Sequence, residues 1–348
     1  MKSTVLLTCC IALLALTAPA QTVPAPPPKP PPVKIIFDTD IGNDVDDVMA
    51  LSMLHALQTR GDCELLAVTI TKPDELAGPF VDAMNTFYGR PGIPIGFAHA
   101  GLTNWPSRFL YLANVKDSSK FRYPHSLRRS SDALPATQVL REVLSQQPDD
   151  SVVMLQTGFF SNLAALLETP SDSFSPLAGR ELVKRKVRFL SVMAGAFQPI
   201  GTNSHYCEFN VINDIPAAEK VARDWPTPIF WSGFEIGVAV PYPAINIERD
   251  FFYVPHHPTA EAYYLYYPPP HNRPTWDLTS AIYAVLPDRG YFDLSPRGNV
   301  TVENDGFTKF TRVADGRDRF LMVNEMQTVR LKEAFTQLVS QPPPCLSQ

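Results

Sequence analysis

Apolar positions along the chain follow two alternating patterns. Short, mostly apolar runs stand at 33–37, 65–70, 152–155, 187–193 and 228–231, the length and composition of buried strands. Between them, apolar residues return at three- and four-residue spacing, which predicts helices over 45–57, 79–88, 161–167 and 216–223. Strands this apolar, separated by helices, predict an α/β fold. The sheet is expected to be open, mostly parallel and Rossmann-like, covered by helices on both faces. Beyond Pro241 the pattern changes to aromatic, proline-rich loops, with a helix expected over 277–285, short strands at 299–302 and 307–313, and a final helix over 329–338. No Gly/Ser or charged linker interrupts residues 33–340, so they are expected to form a single domain followed by a short tail, 341–348.

The first twenty residues do not belong to this pattern. Lys2, the apolar run 5–16 and Ala18-Pro19-Ala20 form a basic start, a short apolar segment and a small-x-small cleavage site. Together they predict a signal peptide cut near Ala20 and a secreted or periplasmic protein. The run is shorter than the roughly 20 residues a membrane span needs. Residues 21–32 are a proline-rich linker with seven prolines between Pro24 and Pro32, expected to form a stiff polyproline II spacer.

Proline accounts for 35 of 348 residues, about twice the usual share, but much of the excess lies in this linker and after Pro241. Thirty basic against 35 acidic residues leave a net charge of -5, which offers no basic surface to a phosphate backbone and argues against nucleic acid. Cleavage leaves Cys63, Cys207 and Cys345, which show no metal-type spacing; Cys63 and Cys207 are expected to be buried free thiols.

The candidate chemistry lies where the first strand meets the first helix. In Asp38-Thr39-Asp40-Ile41-Gly42-Asn43-Asp44-Val45-Asp46-Asp47, five of ten residues are carboxylates. Ligands of open α/β sheets bind beyond the carboxyl ends of the strands. One aspartate there could cap the helix, but five would repel one another without a cation. All-oxygen donors select a hard ion, Ca²⁺ or Mg²⁺. An EF-hand is excluded: counted from Asp38, glycine falls at the fifth place and Met49 at the twelfth.

Together with three later blocks, this motif resembles the nucleoside hydrolase family, the inosine-uridine preferring N-ribosyl hydrolases. The blocks are Gln156-Thr157-Gly158-Phe159-Phe160-Ser161-Asn162-Leu163-Ala164; Met193-Ala194-Gly195 with Glu208-Phe209-Asn210 and Asp214-Ile215-Pro216-Ala217-Ala218; and Trp276-Asp277. The resemblance implies Ca²⁺ held by Asp40, Asp47, the Thr157 carbonyl and Asp277. It places Asp46, Asn203, Glu208, Asn210 and Met193 around the ribose, and suggests a homodimer or homotetramer acting on a small nucleoside. Breaking an N-glycosidic bond passes through an oxocarbenium-like sugar. Asp40 is then expected to act as the base that activates a calcium-held water.

Three positions depart from the family pattern. Trp276 stands where many members carry a histidine acid; tryptophan there resembles the purine-preferring branch, where it stacks on the base. Trp105 is the candidate partner for a stacked base, and His256, His257 and His271 are candidates to restore an acid. Thr71-Lys72-Pro73-Asp74 replaces the usual Gly-Asn after the second strand, and Asn203 is one residue out of register. Two alternatives follow. One is a calcium-dependent nucleoside- or ribosyl-binding protein without turnover. The other is a haloacid-dehalogenase-like Mg²⁺ phosphatase, because Asp38-x-Asp40 also resembles that family's nucleophile motif.

Overall fold

A computed structural model of the chain describes residues 29–98 and 105–344. The expected signal peptide, most of the linker, the stretch just before Trp105 and Cys345 lie outside the described residues. Eleven strands form one sheet: β1 Val33–Thr39, β2 Cys63–Ile70, β3 Ile95–Phe97, β4 Leu134–Pro135, β5 Val152–Gln156, β6 Val187–Met193, β7 Ile229–Ser232, β8 Asp293–Leu294, β9 Gly298–Val302, β10 Thr308–Arg312 and β11 Asp318–Met322. The order is β10-β9-β11-β7-β6-β5-β1-β2-β3-β4, with β8 paired to β11. Every pairing from β11 to β4 is parallel, and β8, β9 and β10 add an antiparallel edge.

Alternate residues of the central strands enter two cores. Ile35 and Phe37 of β1, with Val153 and Leu155 of β5, pack under helices Asp46–Thr59, Ala77–Phe87, Trp276–Val285 and Glu325–Val339. Ile36 and Met154 point the other way, toward helices Ala136–Ser145, Ser161–Glu168, Gly179–Lys186 and Ile215–Asp224. Helix Asp46–Thr59 is buried on all sides as far as Leu57, which even encloses Ser52 and His55. Among the described residues no helix is long and apolar enough to cross a membrane.

Two expectations are corrected. The segment after Pro241 contains helices Ala244–Arg249 and Pro258–Tyr266 as well as loops. Pro258 sits in the first helical turn, where a missing N–H costs nothing, and His257 caps that turn by accepting from Thr259 N. Strand β11 (DRFLM) was not anticipated: its two charged residues mask it until Asp318 pairs with Ile229 of β7.

Strand order reverses at β1: the chain runs outward through β2, β3 and β4, then returns to the other side of β1 as β5. The resulting crevice lies between the carboxyl ends of β1 and β5, the switch point at which such sheets bind ligands.

Candidate active site

The aspartate motif leaves β1 at this crevice, and two close approaches shape it. Gly42 turns with φ +115°, and a Cβ there would collide with Leu110 and Lys72. Gly158, just past β5, lies so close to Asp40 N and Thr71 Oγ1 that any side chain would clash. Thr157 N donates to Asp38 O at 2.8 Å, locking the two strand ends together.

The five aspartates take different partners. Asp38 is fully buried, accepting from Thr69 Oγ1 at 2.5 Å and Asn162 Nδ2 at 2.7 Å; burial pushes its pKa up to about 7. It does not line the cavity, which removes it as the nucleophile of a phosphatase. Asp44 forms a two-pronged ion pair with Arg273. Though paired, Asp44 still adds its charge to that felt by Asp40, Asp46 and Asp47, and these three are joined by Asp277 from the far end of the chain.

Carboxylate oxygens of Asp46, Asp47 and Asp277 come within 4.8 Å of one another, all three buried. Burial first, and neighbouring carboxylates second, hold all three well above the usual carboxylate range. Asp277 N also donates to Asp46 Oδ2 at 3.1 Å, so the starts of two helices converge here. Thr39 Oγ1 and Thr157 Oγ1 both donate to Asp47 Oδ1. Converging anionic oxygens that a cation would relieve are the donor set of a hard ion such as Ca²⁺. Asp40 lines the same cavity outside this tight trio, accepting from Asn43 Nδ2 at 2.7 Å, with its pKa raised to about 6 by burial. The trio thus groups Asp46, expected beside the ribose, with Asp47 and Asp277.

Asp40, Asp46, Asp47, Thr157, Met193, Glu208, Asn210, Trp276, Asp277 and Trp105 all line one cavity of about 860 Å³. Glu208 is fixed by the chain itself: its carboxylate accepts from Gly195 N at 3.1 Å, Asn210 N at 2.9 Å and Val211 N at 3.3 Å, and burial raises its pKa to about 7. Asn210 Nδ2 donates to the carbonyls of Thr157 at 2.7 Å and Met193 at 3.1 Å. Asn203 is not brought into the site. It is exposed on a turn closed by the Ile200–Asn203 bridge, its side-chain oxygen accepting from His205 N at 2.9 Å.

The other end of the cavity is aromatic and cationic. Trp276 Nε1 donates to Phe234 O at 2.9 Å, its ring packs on Phe234 at 5.1 Å, and the Arg273 guanidinium lies 5.1 Å from the indole centroid. Trp105, 66% exposed, takes Phe209 as its ring partner at 6.0 Å. Lys72, from the segment that departs from the family pattern, joins both ends: its Nζ donates to Asn43 Oδ1 at 2.6 Å and Trp105 O at 2.7 Å. None of the three candidate acid histidines lines the cavity; His257 is buried among Phe87, Phe251 and Tyr253, and His256 pairs with Glu261. Sequence reasoning missed Arg273, Tyr266 and Phe234. Only the Arg-Pro-Thr-Trp-Asp run, which places Arg273 beside the Trp276-Asp277 motif, could have marked one of them.

No curated protein matches the chain. Among solved structures it is similar to a plant nucleoside hydrolase, at 20% identity over 90% of this chain and 100% of that one with a TM-score of 0.66. It is also similar to the purine-preferring ribonucleoside hydrolase of Gardnerella vaginalis, at 18% identity over 88% and 98% with a TM-score of 0.67. A third likeness is to the type III effector protein XopQ complexed with adenosine diphosphate ribose, at 15% identity over 89% and 93% with a TM-score of 0.63. These likenesses establish the fold. The family model described as inosine-uridine preferring nucleoside hydrolase matches residues 35–332, nearly the whole folded domain, and the chain belongs to that family.

Proposed function

We propose that this protein hydrolyses the N-glycosidic bond of ribonucleosides to ribose and free base, in a calcium-dependent reaction that prefers purines. The observation that carries the reading is the convergence of buried Asp46, Asp47 and Asp277 in a cavity that Asp40 also lines and that is large enough for a sugar and a base. Bound calcium would supply a fixed positive charge that orients the ribose hydroxyls and polarises a water.

Asp40 takes a proton from the attacking water. Burial, partly offset by Asn43 and Lys72, puts its pKa at about 6, and a nearby cation lowers it, so the group is ionised and basic at neutral pH. Glu208 and Asn210, immobilised by main-chain contacts, offer an acid and a carboxamide to the sugar hydroxyls. The ring of carboxylates favours the positive charge that develops on the sugar as the bond to the base breaks. At the other end Trp276 stacks on the base, and larger purines gain most from that contact. Solvent supplies the proton to the departing base. The reading includes a secreted or periplasmic location and a homodimeric or homotetrameric assembly.

A panel of nucleosides, assayed for free base with and without chelator, tests it. Base release from inosine, guanosine or adenosine should exceed that from uridine or cytidine, and should vanish with chelator and in Asp40→Ala. Undiminished activity in either case overturns the proposal. A binding role without turnover is the second reading, favoured by a cavity with no histidine among its described lining residues and by the likeness to an effector solved with a ribosyl ligand. Calcium-dependent retention of nucleoside without base release would select it.

A further inference from the structure

Beside the cavity but outside its lining, the fold brings a second donor set together from two stretches of chain. A ring nitrogen of His205, the Cys207 thiol and a carboxylate oxygen of Asp305 lie within 4.8 Å of one another. His205 and Cys207 stand on the loop that leads into Glu208, and Asp305 on the turn between β9 and β10. We propose that His205, Cys207 and Asp305 form a second metal site, for a borderline-soft divalent cation such as zinc, that clamps this loop to the turn.

Each donor is oriented before any ion arrives. The His205 ring stacks on Phe307 with centroids 4.1 Å apart and planes at 14°, and Asn203 Oδ1 holds its backbone N–H. Asp305 Oδ1 is occupied by Phe307 N at 3.0 Å, which leaves Oδ2 to meet His205 Nε2 at 2.7 Å. Cys207 is half-buried rather than fully buried as its sequence suggests, and its Sγ lies 4.0 Å from His205 O. Zinc bonds of about 2.0–2.3 Å place tetrahedral donors roughly 3.3–3.8 Å apart, so His205 Nε2 and Asp305 Oδ2 would open from 2.7 Å to admit the ion, with the Cys207 thiol within 4.8 Å of both, a shift within reach of small side-chain rotations. Nitrogen, thiolate and one carboxylate suit zinc, whereas the all-oxygen trio in the cavity suits calcium, so the two sites sort their ions by chemistry. Three protein ligands leave a fourth position for water.

The position gives the clamp a consequence. The loop it would hold continues directly into Glu208, whose carboxylate is bonded to Gly195 N, and the same β9–β10 hairpin reaches Ala196 through Thr308 Oγ1 at 3.0 Å. Ordering this loop would steady Glu208 without touching the substrate.

The test is titration of metal-stripped full-length protein with Co²⁺ in excess Ca²⁺, read by absorption. One equivalent should bind with a thiolate-to-cobalt charge-transfer band that Zn²⁺ displaces. The band should be absent in Cys207→Ser, at least about tenfold harder to populate in Asp305→Asn, and unchanged in Asp277→Asn. No thiolate band in the wild-type chain, or a band that survives Cys207→Ser, overturns the proposal. Circular dichroism checks that each variant folds. A measurement on the unaltered chain stands beside it: Zn²⁺ should slow alkylation of Cys207, mapped by mass spectrometry, at least about tenfold. Equal labelling with and without Zn²⁺ also overturns the site.

Discussion

The carboxylate end of the cavity and its aromatic end share one helix start, Trp276-Asp277, but are otherwise built differently. Asp40 and Thr157 follow adjacent parallel strands, while Asp46, Asp47 and Asp277 open buried helices; none is more than 4% exposed. Trp105, Tyr266, Tyr267 and Arg273 lie instead on loops or at a helix end, and Trp105 is 66% exposed. Holding an ion, as proposed, tolerates little displacement, which suits carboxylates on elements fixed by core packing. In the proposed function these loop residues help choose the base, and loops carried on a rigid sheet can vary to do so. The proposed chemistry and base choice therefore meet at Trp276-Asp277 and separate beyond it.

The largest expected effect falls at the carboxylate end. Asp40→Asn should lower kcat by about 10²- to 10⁴-fold with KM little changed, measured by steady-state base release. A loss confined to KM would instead make Asp40 a binding group and blur the distinction between the two ends. At the aromatic end, Trp276→Ala removes stacking worth about 1–3 kcal/mol, a fall of roughly 5- to 150-fold in kcat/KM for purine nucleosides. The calcium-induced rise in Tm should be the same in that variant as in the parent. If it also disappears, the two ends are coupled.

Acidity should separate them further. In the cation-free protein Asp46, Asp47 and Asp277 bind protons more tightly folded than unfolded. Their contribution to stability is therefore fully present below the unfolded carboxylate value of about 3.9, and is lost as pH rises through the higher folded values. Under the proposed function calcium competes with those protons and should reverse the trend. Saturating ion, at about 100 times its Kd, should add roughly 2.7 kcal/mol near neutral pH, and the increment should shrink as the solution is acidified. Thermal melts with calcium or chelator across that range check the sign; an increment that grows on acidification contradicts the assignment. The smallest effect belongs to Asn203→Ala, which should leave hydrolysis within about twofold of the parent, because this side chain lies on the surface beside His205.

Much of this was legible in the chain itself. The run 187–193 matches β6 residue for residue, and the helical spacing over 45–57 lies almost wholly within Asp46–Thr59, because buried strands and packed helices impose their own periodicities locally. The density of carboxylates between Asp38 and Asp47 likewise pointed to a cation before any fold was known. Partner choice was another matter. That Asp38 would turn inward to Thr69 and Asn162, that Asp44 would pair with Arg273, and that Asp46 would join Asp277 depends on strand order and on where a helix more than 200 residues later begins. The same holds for Asn203, which the fold leaves on the surface, and for His205 and Cys207, which only the fold brings to Asp305. Periodicity and charge density are written in neighbouring residues, whereas burial and pairing are properties of the space between distant ones, and only the folded sheet defines that space.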